Sequence, residues 1–256
     1  TTAELFVATK LGRMAPPDWP EAFTKEAMTQ HTENSLKRLG VDALDLTQIH
    51  CIPTEVMQAG DVFETLRGLR QAGKIKAFGA SVETMDEALT CLEQEGLSSL
   101  QIIFNIYRQK PILELLERAK EKDVAIIARV PLASGLLAGK FKVDTSFADN
   151  DHRNFNKDGQ VFNVGETFAG LPYEKGVELS DKLKTFLPQG MTMVQMALRW
   201  ILDHDAVSVV IPGASRAEQA VGNAAISDLE PLSDALHVKI AEFYDGEVKE
   251  HIRGAY

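Results

Sequence analysis

The chain has 256 residues, 45% of them apolar and 25% charged, the make-up of a globular protein without low-complexity tracts. Its formal charge of −10 and its isoelectric point near 5.1 argue against nucleic acid or an anionic membrane as the main partner. Cys51 and Cys91 make no disulfide scaffold, and there is neither a transmembrane run nor a signal-peptide pattern, so the expected setting is the reduced cytoplasm.

The first predicted element is a strand over 5–9 (LFVAT), apolar enough to be buried on both faces and stopping on Lys10. A helix over 24–39 follows, closed by Gly40. LDLTQIH (44–50) reads as a strand, 62–72 as a helix stopped by Gly73, and IKAFGAS (75–81) as a strand. A helix over 84–94 is capped by Thr84, and LQIIFN (100–105) is the next strand, followed by a helix over 112–122. VAIIARV (124–130) is a strand leading into a long loop, with helices over 175–187 and 192–204 beyond it. The strand VSVVIP (207–212), a helix over 216–226 and an appended helix over 233–251 complete the chain.

Alternating helices and uniformly apolar strands imply a parallel sheet covered by helices, with no polar linker to divide residues 1–256 into more than one domain. Six strand–helix units fit either a doubly wound sheet or a (β/α)₈ TIM barrel with two units unread. The unusual residues favour the barrel. Lys10, His50, Ser81, Asn105, Arg129 and Gly213 all fall at or just past the C-terminal ends of strands, where a barrel builds its site. No GxGxxG follows the first strand, as a doubly wound nucleotide fold would favour.

Read alone, Lys10 is a solvated strand-end lysine, since lysine is seldom buried, and His50 a hydrogen-bonded structural histidine. No metal site is expected, because no second His, Cys or carboxylate stands at ligand spacing from His50. RVPLASGLLAGK (129–140) is either an ordinary turn or a backbone able to wrap an anion, given Gly135, Gly139 and Lys140. IPGASRAEQAVGN (211–223) ends a strand in Pro-Gly and starts a helix near Ser215 and Arg216, a natural phosphate site.

In order and spacing, ELFVATKLGR, LDLTQIHCIP, IKAFGAS, LQIIFNIYRQKP, ARVPLASGLLAGKF and VVIPGASRAEQAVGN together resemble an aldo-keto reductase, over essentially the whole chain. The likeness is to the bacterial branch related to the potassium-channel β-subunits. It implies a (β/α)₈ barrel that uses NADPH to reduce a small-molecule aldehyde or ketone. Lys10 then matches the lysine that lowers the pKa of a proton-donating tyrosine, and His50 the histidine that orients the substrate carbonyl. Ser81 and Gln101 fall where the family contacts the nicotinamide carboxamide, and Arg129 where many members stack an aromatic ring on the nicotinamide. Leu132, Ala133, Ser134, Gly135 and Lys140 match the segment covering the pyrophosphate. Gly213, Ser215, Gln219 and Asn223 match the adenosine and 2′-phosphate site, with Arg216 beside them.

The family's catalytic Asp and Tyr belong to a DxxxxYG segment that this sequence does not show; Tyr107, Tyr173, Tyr244 and Tyr256 all lie in other contexts. The expectation is therefore a piece of a longer product or a naturally truncated protein, with LFVATK as the barrel's third strand. Edges left open by two missing strands are expected to be covered, by self-association among other means. Two other readings stay open: a cofactor-binding scaffold or redox sensor without turnover, and a Schiff-base enzyme using Lys10 as nucleophile.

Overall fold

The computed structural model describes residues 5–12 and 21–256. Glu4 and Arg13, at the margins of the ELFVATKLGR stretch, lie outside them. In chain order the elements are β1 (Ala8–Leu11), α1 (Lys25–Leu39), β2 (Leu44–His50), α2 (Thr54–Ala59), α3 (Asp61–Gln71), β3 (Ile75–Ser81), α4 (Met85–Leu92) and β4 (Leu97–Ile103). Then come α5 (Lys110–Glu114), α6 (Leu116–Glu121), β5 (Ala125–Arg129), α7 (His152–Phe155), α8 (Tyr173–Lys184), α9 (Met193–Leu202), β6 (Val207–Val210), α10 (Ala217–Ala224) and α11 (Asp234–Phe243). Two compact units result: Thr1–Ile102 with Arg118–Ala125, and Ile103–Glu117 with Ile126–Tyr256.

In the first unit, β1 pairs with β2, β2 with β3 and β3 with β4, every pair parallel. One face of these strands carries Ile49, Phe78, Ala80, Leu100 and Ile102, each no more than 1% exposed. Phe63 and Leu66 of α3 are equally buried. Local chemistry sets the helix ends. Thr24 accepts from Ala27 N at the start of α1, and Gly40 takes φ 67° at its end. Thr84 and Glu87 form a capping box on α4, each side chain bonding the other's backbone N–H.

In the second unit β5 pairs in parallel with β6. Trp200 of α9 and Phe104 pack in its core with ring centroids 5.1 Å apart and planes tilted by 41°. The apolar strand VSVV is nevertheless half-exposed, with Val209 46% accessible. Its only strand partner among the described residues is β5.

Several sequence-based expectations change. The first strand is Ala8–Leu11, three residues later than LFVAT. Leu5 and Phe6 are 66% and 70% exposed rather than buried on both faces. Val7, just ahead of the strand, is tied down: its N–H donates to Asp45 Oδ2 and its carbonyl accepts from Leu46 N. Lys10 thus lies within the strand, one residue before its end. The single helix expected over 112–122 is broken at Leu115, which turns at φ −124° and leaves both Leu115 and Leu116 buried. The C-terminal helix leaves α geometry at Tyr244: a π-helical turn, Tyr244–Val248, buries Tyr244 and Val248 before a last 3₁₀ turn. Helix α2 had no expectation attached to it.

Candidate functional site

Side chains in parallel register share a face, and successive residues alternate between faces. The pairing of β1 to β4 therefore sets Lys10, Gln48, Gly79 and Ser99 side by side in one row. His50, Ser81 and Gln101 form the next row, nearer the C-terminal strand ends. Barrel interiors normally carry branched apolar side chains in such rows. Here the rows are polar and largely buried: Gln48 and Ser81 are 1% exposed, Ser99 2% and Gln101 4%. Lys10 and His50 are half-buried.

Buried polar groups must be hydrogen-bonded, and these are. Gln101 Nε2 donates to Gln48 Oε1 at 3.2 Å, and Gln48 Nε2 donates to Ser99 Oγ at 3.3 Å. At the strand mouths, Cys51 N donates to the Ser81 carbonyl and Val82 N to the Gln101 carbonyl. Cys51, at φ 49°, turns the chain out of β2 directly after His50. The first unit thus sets a lysine, a histidine, two serines and two amides on one sheet face.

The second unit holds the segment after β5. Arg129 ends the strand, and its Nη1 lies 2.6 Å from Glu166 Oε2. The chain then takes left-handed conformations at Val130 (φ 51°), Ala133 (φ 47°), Ser134 (φ 55°) and Gly135 (φ 102°). For a β-branched residue such as Val130 that conformation costs on the order of 1–3 kcal/mol. Asn105 holds it in place, donating to the Val130 carbonyl at 2.9 Å while accepting from Tyr107 N. A Cβ on Gly135 would stand 2.8 Å from the Phe141 ring. Ser134 Oγ accepts from Phe168 N and donates to the Glu166 carbonyl, so it pins the 164–170 segment. Leu132 is half-buried, Ala133 buried and Lys140 exposed.

Beyond β6 the same unit presents Gly213, Ser215, Arg216 and Gln219 at the surface. Gln219 Oε1 reaches back to accept from Ser215 N at 2.8 Å and Ser215 Oγ at 3.1 Å, fixing the turn. Arg216 is the N-cap of α10 and exposed, so a guanidinium sits where helix N–H groups already favour an anion. Asn223 is half-buried at a cleft of about 410 Å³ that also takes in Leu198, Leu202, Val210 and Pro212.

The four tyrosine hydroxyls are committed elsewhere in the second unit. Tyr107 bonds Ser180, Tyr173 donates to the Lys142 carbonyl, and Tyr244 and Tyr256 bond each other. Burial pushes the ionisation of Tyr107, Tyr244 and Tyr256 upward. Sequence reading missed Gln48, Gly79, Ser99 and Glu166. Period-two parity with His50 would have put Gln48 on the same face. Glu166 lies 37 residues beyond Arg129 in an irregular segment, and no local signal announces it.

The Aldo/keto reductase family model matches residues 1–245. Among curated proteins, the chain is similar to an aldo-keto reductase, YhdN, of Bacillus subtilis, 30% identical over 193 residues. That match takes in 75% of this chain and 56% of the relative, so the chain spans little more than half of that protein's length. It is 26% identical over 254 residues to an aldo-keto reductase, yakc [NADP(+)], of Schizosaccharomyces pombe, covering 96% of this chain and 69% of that protein. It is 29% identical over 231 residues to the L-glyceraldehyde 3-phosphate reductase of Escherichia coli, covering 86% of this chain and 64% of that one. Among solved structures, a glycerol dehydrogenase from Gluconobacter oxydans superposes with a TM-score of 0.72 at 24% identity, covering 97% of this chain and 75% of that chain. The family match and this likeness identify the fold as an α/β barrel type.

Proposed function

This chain belongs to the aldo-keto reductase family, and on that premise we propose that it binds NADPH and serves the reduction of aldehydes or ketones to alcohols. The observation that carries the reading is the pair of polar rows on one sheet face, with Lys10 and His50 beside the buried amides of Gln48 and Gln101. The residues present fit the cofactor at both of its ends. Ser81 and Gln101 offer a hydroxyl and an amide, which suit a primary carboxamide. Arg216, exposed at the start of α10 beside Ser215, suits a phosphate monoester such as the 2′-phosphate. The NADP(+) in the name of the fission-yeast relative supports the same choice.

When bound, NADPH supplies the hydride. The remaining steps fall to this chain's side chains. His50 can hold a carbonyl oxygen by a hydrogen bond and can move a proton at neutral pH. Lys10 places a positive charge on the same face, where it opposes the negative charge that develops on that oxygen. Within the second unit, the Asn105 bond to the Val130 carbonyl and the Arg129–Glu166 pair hold the strained segment after β5 in shape. Leu132, Ala133, Ser134, Gly135 and Lys140 are the residues that would flank the pyrophosphate.

Fluorescence titration with NADPH and NADH tests the cofactor, and NADPH oxidation with 4-nitrobenzaldehyde tests the reaction. Absence of NADPH binding overturns the proposal. A second reading, a cofactor-binding scaffold without turnover, is favoured by the four committed tyrosine hydroxyls. Tight NADPH binding with no aldehyde-dependent oxidation would select it.

A further inference from the structure

We propose that Gln48 is a positioning residue that sets the polarity of the Gln101 side-chain amide, so that Gln101 presents an acceptor oxygen to the nicotinamide end of the cofactor. The inference rests on the nicotinamide reading above and goes beyond it, because Gln48 has no assigned role there.

A primary amide has one acceptor end and one donor end of nearly equal size, and a half-turn exchanges them. In a buried site the neighbours decide which end faces the ligand. Gln101 Nε2 is held on Gln48 Oε1 at 3.2 Å, which leaves Gln101 Oε1 turned away from Gln48. Gln48 faces Gln101 through its oxygen, and its own Nε2 donates to Ser99 Oγ at 3.3 Å, so both ends of the Gln48 amide are engaged in this one orientation. Ser99 can come so near the row because residue 79 has no Cβ. These atoms sit at 1–4% exposure, so water does not compete for them. The relay Ser99–Gln48–Gln101 therefore ends in an acceptor, and the ligand group it recognises is an N–H donor. The carboxamide N–H of a nicotinamide is such a donor.

The test compares oxidised NADP with its 3-acetylpyridine analogue, in which a methyl group replaces the carboxamide NH₂. Binding is read by quenching of intrinsic protein fluorescence, without turnover. The unaltered chain should bind the analogue roughly tenfold more weakly, the size of one well-made buried hydrogen bond. In Gln48→Met, of similar length but without an amide, Gln101 can flip. The discrimination should then collapse to about twofold or less, while affinity for the analogue stays nearly constant. Gln48→Glu, whose carboxylate accepts from both Gln101 Nε2 and the Ser99 hydroxyl, should restore it, which a merely structural role for residue 48 would not require. Retention of full discrimination by a folded Gln48→Met overturns the inference. Equal binding of both nucleotides by the unaltered chain overturns it as well, whether or not any variant folds. Binding of neither nucleotide instead brings down the nicotinamide reading itself and this inference with it, a result distinct from lost discrimination.

Discussion

Gly79 and Ser99 are packed so closely across neighbouring strands that a Cβ on residue 79 would lie 2.1 Å from Ser99 Oγ and 2.5 Å from the Ser99 carbonyl oxygen. The second contact is with backbone, which cannot swing aside as a flexible side chain can. Gly79→Ala should therefore force β3 and β4 apart, at about 1–3 kcal/mol. The same shift carries Ser99 away from Gln48. Urea unfolding should report the loss of stability, and cofactor titration of the folded fraction a weaker affinity. Unchanged stability would mean that the two strands separate more freely than their register implies.

Much of this face was legible in the sequence. LDLTQIH and IKAFGAS have the same limits in the sequence reading and in the structure, because each follows a glycine-closed helix, opens on an apolar residue and ends on a polar one. The cap at Thr84 and the stop at Gly40 were legible because capping chemistry is local. LFVAT departs from its expected burial because apolar residues ahead of a strand need not be covered: Leu5 and Phe6 are exposed. The break at Leu115 and the π turn at Tyr244 depend on what those residues pack against, which no window of the sequence contains. The same holds for Glu166, which meets Arg129 through the fold alone.

Arg216 caps an eight-residue helix and is exposed to solvent. If it pairs with the 2′-phosphate, that contact is charge-assisted and contributes about 1.5–3 kcal/mol, a tenfold to hundredfold preference for NADPH over NADH. Arg216→Ala should remove most of the preference and leave NADH affinity almost unchanged. Raising the salt concentration should weaken NADPH more than NADH. Equal affinities in the unaltered chain, or a preference indifferent to Arg216, would rule the contact out.

His204 packs its ring 4.8 Å from Trp200 and 5.2 Å from Phe104, and its Nε2 is buried without a hydrogen-bond partner. Burial first and the neighbouring His237 second hold its pKa down at about 4, against the opposing pull of Asp203 and Asp205. The folded state thus takes up this proton later than the unfolded state, whose histidine titrates near 6.5. Stability from the neutral ring is complete above about pH 6.5 and is lost as the pH falls towards 4. Between pH 7 and 5 the loss should be about 1–2 kcal/mol. His204→Phe keeps the aromatic packing and removes the proton. Its urea midpoint should be at least that of the parent at pH 7 and nearly flat down to pH 5, and an unaltered acid slope would exclude His204 as the source.

Reduction of a carbonyl needs a proton as well as a hydride, and the tyrosines of this chain are poorly disposed to give one. Tyr107 is wholly buried against Ser180, Tyr173 serves the Lys142 carbonyl, and Tyr244 and Tyr256 bond each other. On the face that carries Lys10, the group able to move a proton near neutral pH is His50, at the end of β2. A positioned general acid contributes about 10²–10⁴-fold. Against a typical turnover on the order of 10 s⁻¹, the 256-residue chain should therefore reduce 4-nitrobenzaldehyde at roughly 10⁻³–10⁻¹ s⁻¹. What rate remains should fall further in His50→Phe, which loses the hydrogen bond to the carbonyl oxygen, while NADPH affinity changes little. Turnover at ordinary reductase rates that survives His50→Phe would mean that another residue delivers the proton, and each tyrosine changed to Phe in turn would identify whether one of them does.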